Sequence, residues 1–132
     1  MLRSQRYSDL VFKNVTAMSD AKSDTPKRYK SLCKRAGGIF RTVGLIQFMA
    51  FIEAKSAKED HYKFLADHLR RELKDLNLVP DYAPAKCMET IRGMQLPAYM
   101  HISRSVLQLL QWHKRIAEIM IEGDSHDSDD KE

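Results

Sequence analysis

Five histidines, two cysteines and a scatter of serines are the residues of this 132-residue chain whose chemistry could be catalytic. A nucleophilic enzyme needs a Cys or Ser beside a base, with donors aimed at the developing oxyanion. No such grouping occurs. Cys33 falls on the apolar side of its segment, no Gly-x-Ser-x-Gly turn is present, and Gly37-Gly38 lacks the spacing of a phosphate-cradling loop. His61 and His68 share one helix face, but at 1.5 Å rise per residue they stand about 10 Å apart, too far for one metal ion. His113 sits in an apolar stripe and reads as a buried, hydrogen-bonded core histidine. Helical RNA-cutting domains often carry a His about four to six residues after an Arg, where the pair supplies a charge and a general acid or base. Here Arg92 to His101 and Arg104 to His113 are both nine apart. The acids near the C-terminus do not match a calcium loop, which needs a Gly at its turn and a spaced Glu. The expectation is a chain that binds rather than catalyses, with no metal and no cofactor.

The chemistry that does emerge is cationic. At 100° per residue, Lys27, Lys30, Lys34 and Arg41 fall within an arc of about 60°, with Arg28 and Arg35 flanking them. Residues 26 to 52 contain no acid, so within that stretch no pair one helical turn apart neutralises this face. A run of charges is often only a solvated surface. Its lack of acids favours a polyanion, and regular Lys and Arg meet phosphates rather than base edges. Further along, Arg104 and Arg115 share a polar face with Gln108 and Gln111, while Trp112 borders the apolar side as core filler or a stacking surface.

These side chains must be positioned by helices. Gly and Pro are few, and the frequent Leu, Lys, Ala, Met, Arg and Glu lose little rotamer freedom in a helix. Helical stripes recur over 2–21, 27–43, 45–57, 60–76, 84–92 and 97–121, with Pro26, Pro84 and Pro97 at starts and Gly44, Asn77 and Gly93 at ends. Thr25 and Asp60 are the expected N-caps, and Gly37-Gly38 suggests a bend or a close helix contact. No stretch alternates like a strand. The expected fold is all-α, a compact bundle of five or six helices over residues 1–121, followed by an acidic, disordered tail over 122–132. That tail carries a net −5, which leaves the preceding residues at +9. The longest apolar run, Val43 to Ile52, is far short of the roughly 20 residues a membrane span requires. The first ten residues lack a secretory apolar region, and Cys33 and Cys87 have no paired spacing, so a cytoplasmic protein with reduced core thiols is expected.

One set of residues goes further: Tyr29 on the basic helix, Gly44-Leu45 opening an apolar one, Tyr62 with Leu65 and Leu69, then Tyr99, Ser103-Arg104 and Gln111-Trp112-His113-Lys114-Arg115-Ile116-Ala117-Glu118. The set resembles the small-subunit family of type III-B CRISPR (Cmr) complexes over roughly residues 26 to 121, with Trp-x-Lys-Arg-x-Ala-Glu its most specific piece. The resemblance implies a non-enzymatic structural subunit, present in several copies and stacked along a ribonucleoprotein filament beside guide and target RNA. Its partners would be that RNA, the other subunits of the complex and further copies of itself. It makes Arg104, Lys114 and Arg115 candidate RNA or neighbour contacts and Trp112 a structural anchor. The alternative is a protein-interaction adaptor, or the small subunit of a related CRISPR effector, whose basic face meets an acidic partner. Salt-sensitive binding to arbitrary RNA separates the two.

Overall fold

The computed structural model describes residues 2–19 and 24–122. Six helices are present among them: α1 (Arg3–Ser19), α2 (Thr25–Val43), α3 (Leu45–Ser56), α4 (Asp60–Asp75), α5 (Pro84–Arg92) and α6 (Leu96–Met120). No strand occurs among the described residues, and none of their helices is long and apolar enough to cross a membrane. Of the expected acidic tail only Glu122 is described; the rest lies outside the described residues.

The breaks between helices have local causes. Gly44 takes φ 84° and ψ 174°, a region open essentially only to glycine, while its N–H closes α2 on the Phe40 carbonyl at 2.8 Å. The chain therefore turns sharply between α2 and α3 without a linker. At the end of α4, Asn77 adopts φ 62°, and the N–H groups of Asn77 and Leu78 bond the carbonyls of Lys74 and Leu73. This double closure satisfies two orphan carbonyls, and Asn is one of the few residues to tolerate the left-handed backbone it needs.

Two expected caps lie one position away. The first helical bonds accept at the carbonyls of Asp24 and Glu59, so Thr25 and Asp60 are already inside α2 and α4, and neither helix has a side-chain cap. Gly37-Gly38 produces no break, since α2 continues through both.

The stripes meet in one core. Tyr29, Leu32, Phe48, Leu65, Leu69, Ile102 and Leu109 are fully buried at its centre. Val43, the last apolar position of the 27–43 stripe and expected in the core with Tyr29, Leu32, Cys33, Ala36, Ile39 and Phe40, is instead exposed at the last turn of α2. Around the core, α6 packs on α1 and α2, and α4 packs on the other side of both. The four long helices thus form a ring in the order α1, α6, α2, α4, with α3 on α4 and α5 against α3. Arg70 fixes the outer layer, bonding the Glu53 carboxylate and the Tyr82 carbonyl, each at 2.7 Å.

Candidate nucleic-acid interface

Where α2 lies beside α6, their outer faces form a groove of about 330 Å³. Lys34 and Arg41 come from α2, and Lys114 and Arg115 from α6. Cys33, Leu110, Gly37, Gly38 and Gln111 complete the lining among the described residues, none of them a carboxylate. The groove joins two cationic sets that stand far apart in sequence. Their places on α2 and α6 aim each set toward the seam, because Cys33 and Leu110 on the same sides are drawn into the core.

The two glycines shape this seam. A Cβ at Gly38 would meet nothing within 4 Å, and one at Gly37 would meet only the end of the Arg41 side chain, at 3.6 Å. Packing between helices therefore does not require glycine at either position. Two interior glycines cost α2 about 2 kcal/mol relative to alanine. What they provide is a floor without side chains, open between the four cations.

The remaining expected residues are distributed around this groove. Lys27 and Arg28 are exposed in the first turns of α2, beyond the groove lining. Lys30 is half-buried and donates to the Ile121 carbonyl at 2.9 Å, so its ammonium closes the C-terminal end of α6. Arg35 is half-buried, with a buried Nε that finds no hydrogen-bond partner among the described residues. Arg104 is exposed on the same side of α6 as Arg115, about three turns away, and extends the cationic line past the groove. Trp112 is half-buried and packs against the core.

Beneath the groove runs a buried polar chain that periodicity does not reveal. Asn14 donates to Glu72 Oε2 at 2.8 Å, and the Glu72 carboxylate meets His113 Nε2. His113 Nδ1 meets the Tyr29 hydroxyl at 2.9 Å, and that hydroxyl meets His68 Nδ1 at 2.8 Å. The chain links α1, α4, α6 and α2. One proton arrangement satisfies every member: His68 donates to Tyr29, Tyr29 to His113, and His113 to Glu72. His113 is thus a core histidine, as its place in the stripe suggested, and His68 joins it rather than His61. Glu72 and Asn14 could be suspected from sequence only as polar residues bordering apolar stripes.

Burial moves these groups away from reactivity. Desolvation, with the nearby His113 and Arg71, lowers His68 to about 3, so its ring is neutral. Desolvation likewise raises Tyr29 and Cys33 well above their ordinary ranges and Cys87 to about 11, which keeps both thiols protonated.

Comparison with known proteins agrees with this architecture. A model of the CRISPR-associated protein family Cas_Cmr5 matches residues 3–120. The CRISPR system Cmr subunit Cmr5 of Thermus thermophilus is 29% identical over 122 residues, covering 91% of this chain and 96% of that protein. The crystal structure of a Cmr5 family protein from the same species superposes with a TM-score of 0.75 at 23% identity, covering 92% of this chain and all of the other. With nearly its whole helical length matched, the chain belongs to the Cas_Cmr5 family, the small-subunit family of type III-B complexes that its sequence resembles.

Proposed function

We propose that this chain is a non-catalytic, RNA-contacting structural subunit of a type III-B CRISPR interference ribonucleoprotein, working in the cytoplasm and stacking in several copies beside guide and target RNA. The observation that carries the reading is the groove in which Lys34, Arg41, Lys114 and Arg115 converge on one seam. Four cations over a bare backbone floor suit a phosphodiester strand and read no sequence, which leaves recognition to guide pairing. The related Cmr subunit supports the assembly, with other Cmr subunits as partners. The buried, protonated thiols and the core histidines support a non-catalytic role.

Binding of the full chain to single-stranded RNAs of unrelated sequence, measured across a salt series, tests this reading. Each phosphate engaged contributes a slope of about −0.7 in log affinity against log salt. Replacing Lys34, Arg41, Lys114 and Arg115 with Gln should flatten the slope by roughly 3 units, equally for all sequences. An unaltered slope in folded variant protein refutes the groove. Incubation of purified protein with labelled RNA and divalent ions should leave the RNA intact; cleavage abolished by a histidine substitution refutes the non-catalytic assignment. Assembly with other Cmr subunits but no RNA affinity at low salt would instead fit the adaptor reading.

A further inference from the structure

A second groove, of about 300 Å³, lies between α1 and the C-terminal half of α4 and is roofed by the segment before α5. In the ring of long helices, the α1–α4 seam is opposite the α2–α6 seam. The two grooves therefore open on opposite sides of the bundle. Their chemistry also differs. Lys13 and Lys74 line the second groove with Arg71, but Asp75, Asn14 and Tyr82 join them.

Tyr82 is the informative member. It is 37% exposed, yet it is held firmly. The Arg71 guanidinium lies 4.5 Å from the ring centroid and is itself fixed by Asp67 at 2.8 Å. The Tyr82 carbonyl is bonded by the buried Arg70 at 2.7 Å, and Asp81 Oδ1 accepts from the Ala83 N–H at 2.9 Å. An exposed aromatic on a loop is usually free to move. This one is a braced guanidinium–aromatic platform. Lys13 and Lys74 are both exposed and have no acidic partner among the described residues.

We propose that this groove is a second, separate binding site for single-stranded RNA, in which Lys13 and Lys74 hold phosphate and a base stacks on Tyr82. Stacking on an aromatic or guanidinium plane is the general way unpaired bases are held. Asp75 and Asn14 supply polar groups for a base edge, which a simple phosphate groove has no use for. An acidic peptide would fit the lysines but would leave the guanidinium–aromatic platform bare. The site is independent of the α2–α6 groove, so one chain would carry two strands, one gripped by its backbone and one by a base.

The test uses the full chain and RNA oligomers of about four nucleotides, the low end of single-strand site sizes and too short to reach from one face to the other. Native mass spectrometry and titration calorimetry should give two oligomers per chain. Lys13→Gln with Lys74→Gln should reduce this to one. Gln at Lys34, Arg41, Lys114 and Arg115 should also leave one, the other. Tyr82→Leu should weaken the second site roughly tenfold, whereas Tyr82→Phe should bind as the parent does. An abasic oligomer should fill only the α2–α6 groove. A single oligomer on the parent chain, equal filling by abasic and natural oligomers, or unchanged binding by folded Tyr82→Leu protein overturns the proposal. Because Lys13 and Lys74 are surface residues, the double variant remains decisive if Tyr82→Leu fails to fold. Loss of binding in the α2–α6 variant alone concerns the first groove and leaves this one standing.

Discussion

His113 Nε2 lies 2.9 Å from both carboxylate oxygens of Glu72, and neither side chain is exposed. Removing either partner leaves a polar group in the core that water cannot reach. Glu72→Ala or His113→Ala should therefore cost about 3 kcal/mol of unfolding free energy. The Glu72→Ala, His113→Ala double variant should cost less than the sum of the two single changes, because neither partner is then left buried without the other, while Asn14 and Tyr29 lose only the bonds already lost in the single variants. Urea denaturation of the parent, the single variants and the double variant measures the coupling; strict additivity would mean that the pair contributes nothing as a pair.

His68 makes stability depend on pH. Its folded pKa is about 3 against an ordinary 6.5, so below pH 6.5 the unfolded chain binds a proton that the folded chain refuses. The unfolded state gains, and stability falls as the pH falls from about 6.5 toward 3. The slope from this group approaches about 1.4 kcal/mol per pH unit and vanishes above 6.5. Denaturation midpoints recorded between about pH 7.5 and 4.5 should show the decline, and His68→Asn should flatten it.

The open floor of the α2–α6 groove separates stability from binding. Gly38→Ala should raise unfolding free energy by about 1 kcal/mol, since a Cβ there touches nothing. Gly38→Leu should keep the helix but place a side chain between the four cations, and RNA affinity should drop while the melting temperature does not. Equal RNA binding by parent and Gly38→Leu protein would show that the strand does not approach the floor.

Much of the fold could be read from the chain. Tyr29, Leu32 and Cys33, like Leu65 and Leu69, recur at helical spacing and are buried, while Gly44 marks a break that only glycine permits. The polar core could not be read. Asn14 and Glu72 are 58 positions apart, and Tyr29 and His113 are 84, so only packing of whole helices brings them together. The candidate site was half legible. Stripes are read one helix at a time, so Lys34 falls beside Lys30 in sequence, although Lys30 serves the end of α6 and Lys34 joins Lys114 and Arg115 across the seam. The second groove was invisible for the same reason, since Lys13, Lys74 and Tyr82 belong to three separate segments.

The acids that follow α6 begin close to the cationic face. Lys30 grips the Ile121 carbonyl one turn before Lys34, which places Glu122 near the groove entrance. Residues 122–132 carry a net −5 and should compete with RNA for the basic surface. Truncation after Gly123 should strengthen RNA binding at low salt. The gain should fade as the Debye length shortens to about 8 Å at physiological ionic strength. Identical affinities at low salt would show that these acids play no part.

The ring of helices closes on its last member. Tyr7 bonds Ser105 across 98 positions at 2.9 Å, and His113 reaches back to Tyr29 and Glu72. Until α6 has been synthesised, a nascent chain holding α1 to α5 lacks the His113 ring that joins the Tyr29 hydroxyl to the Glu72 carboxylate. Helical bundles usually fold fast because their contacts are local, whereas here the decisive contacts close the longest loops in the chain. Folding of the nascent protein must wait for α6, and fragments that end before Leu96 should remain open, soft and exposed to proteases.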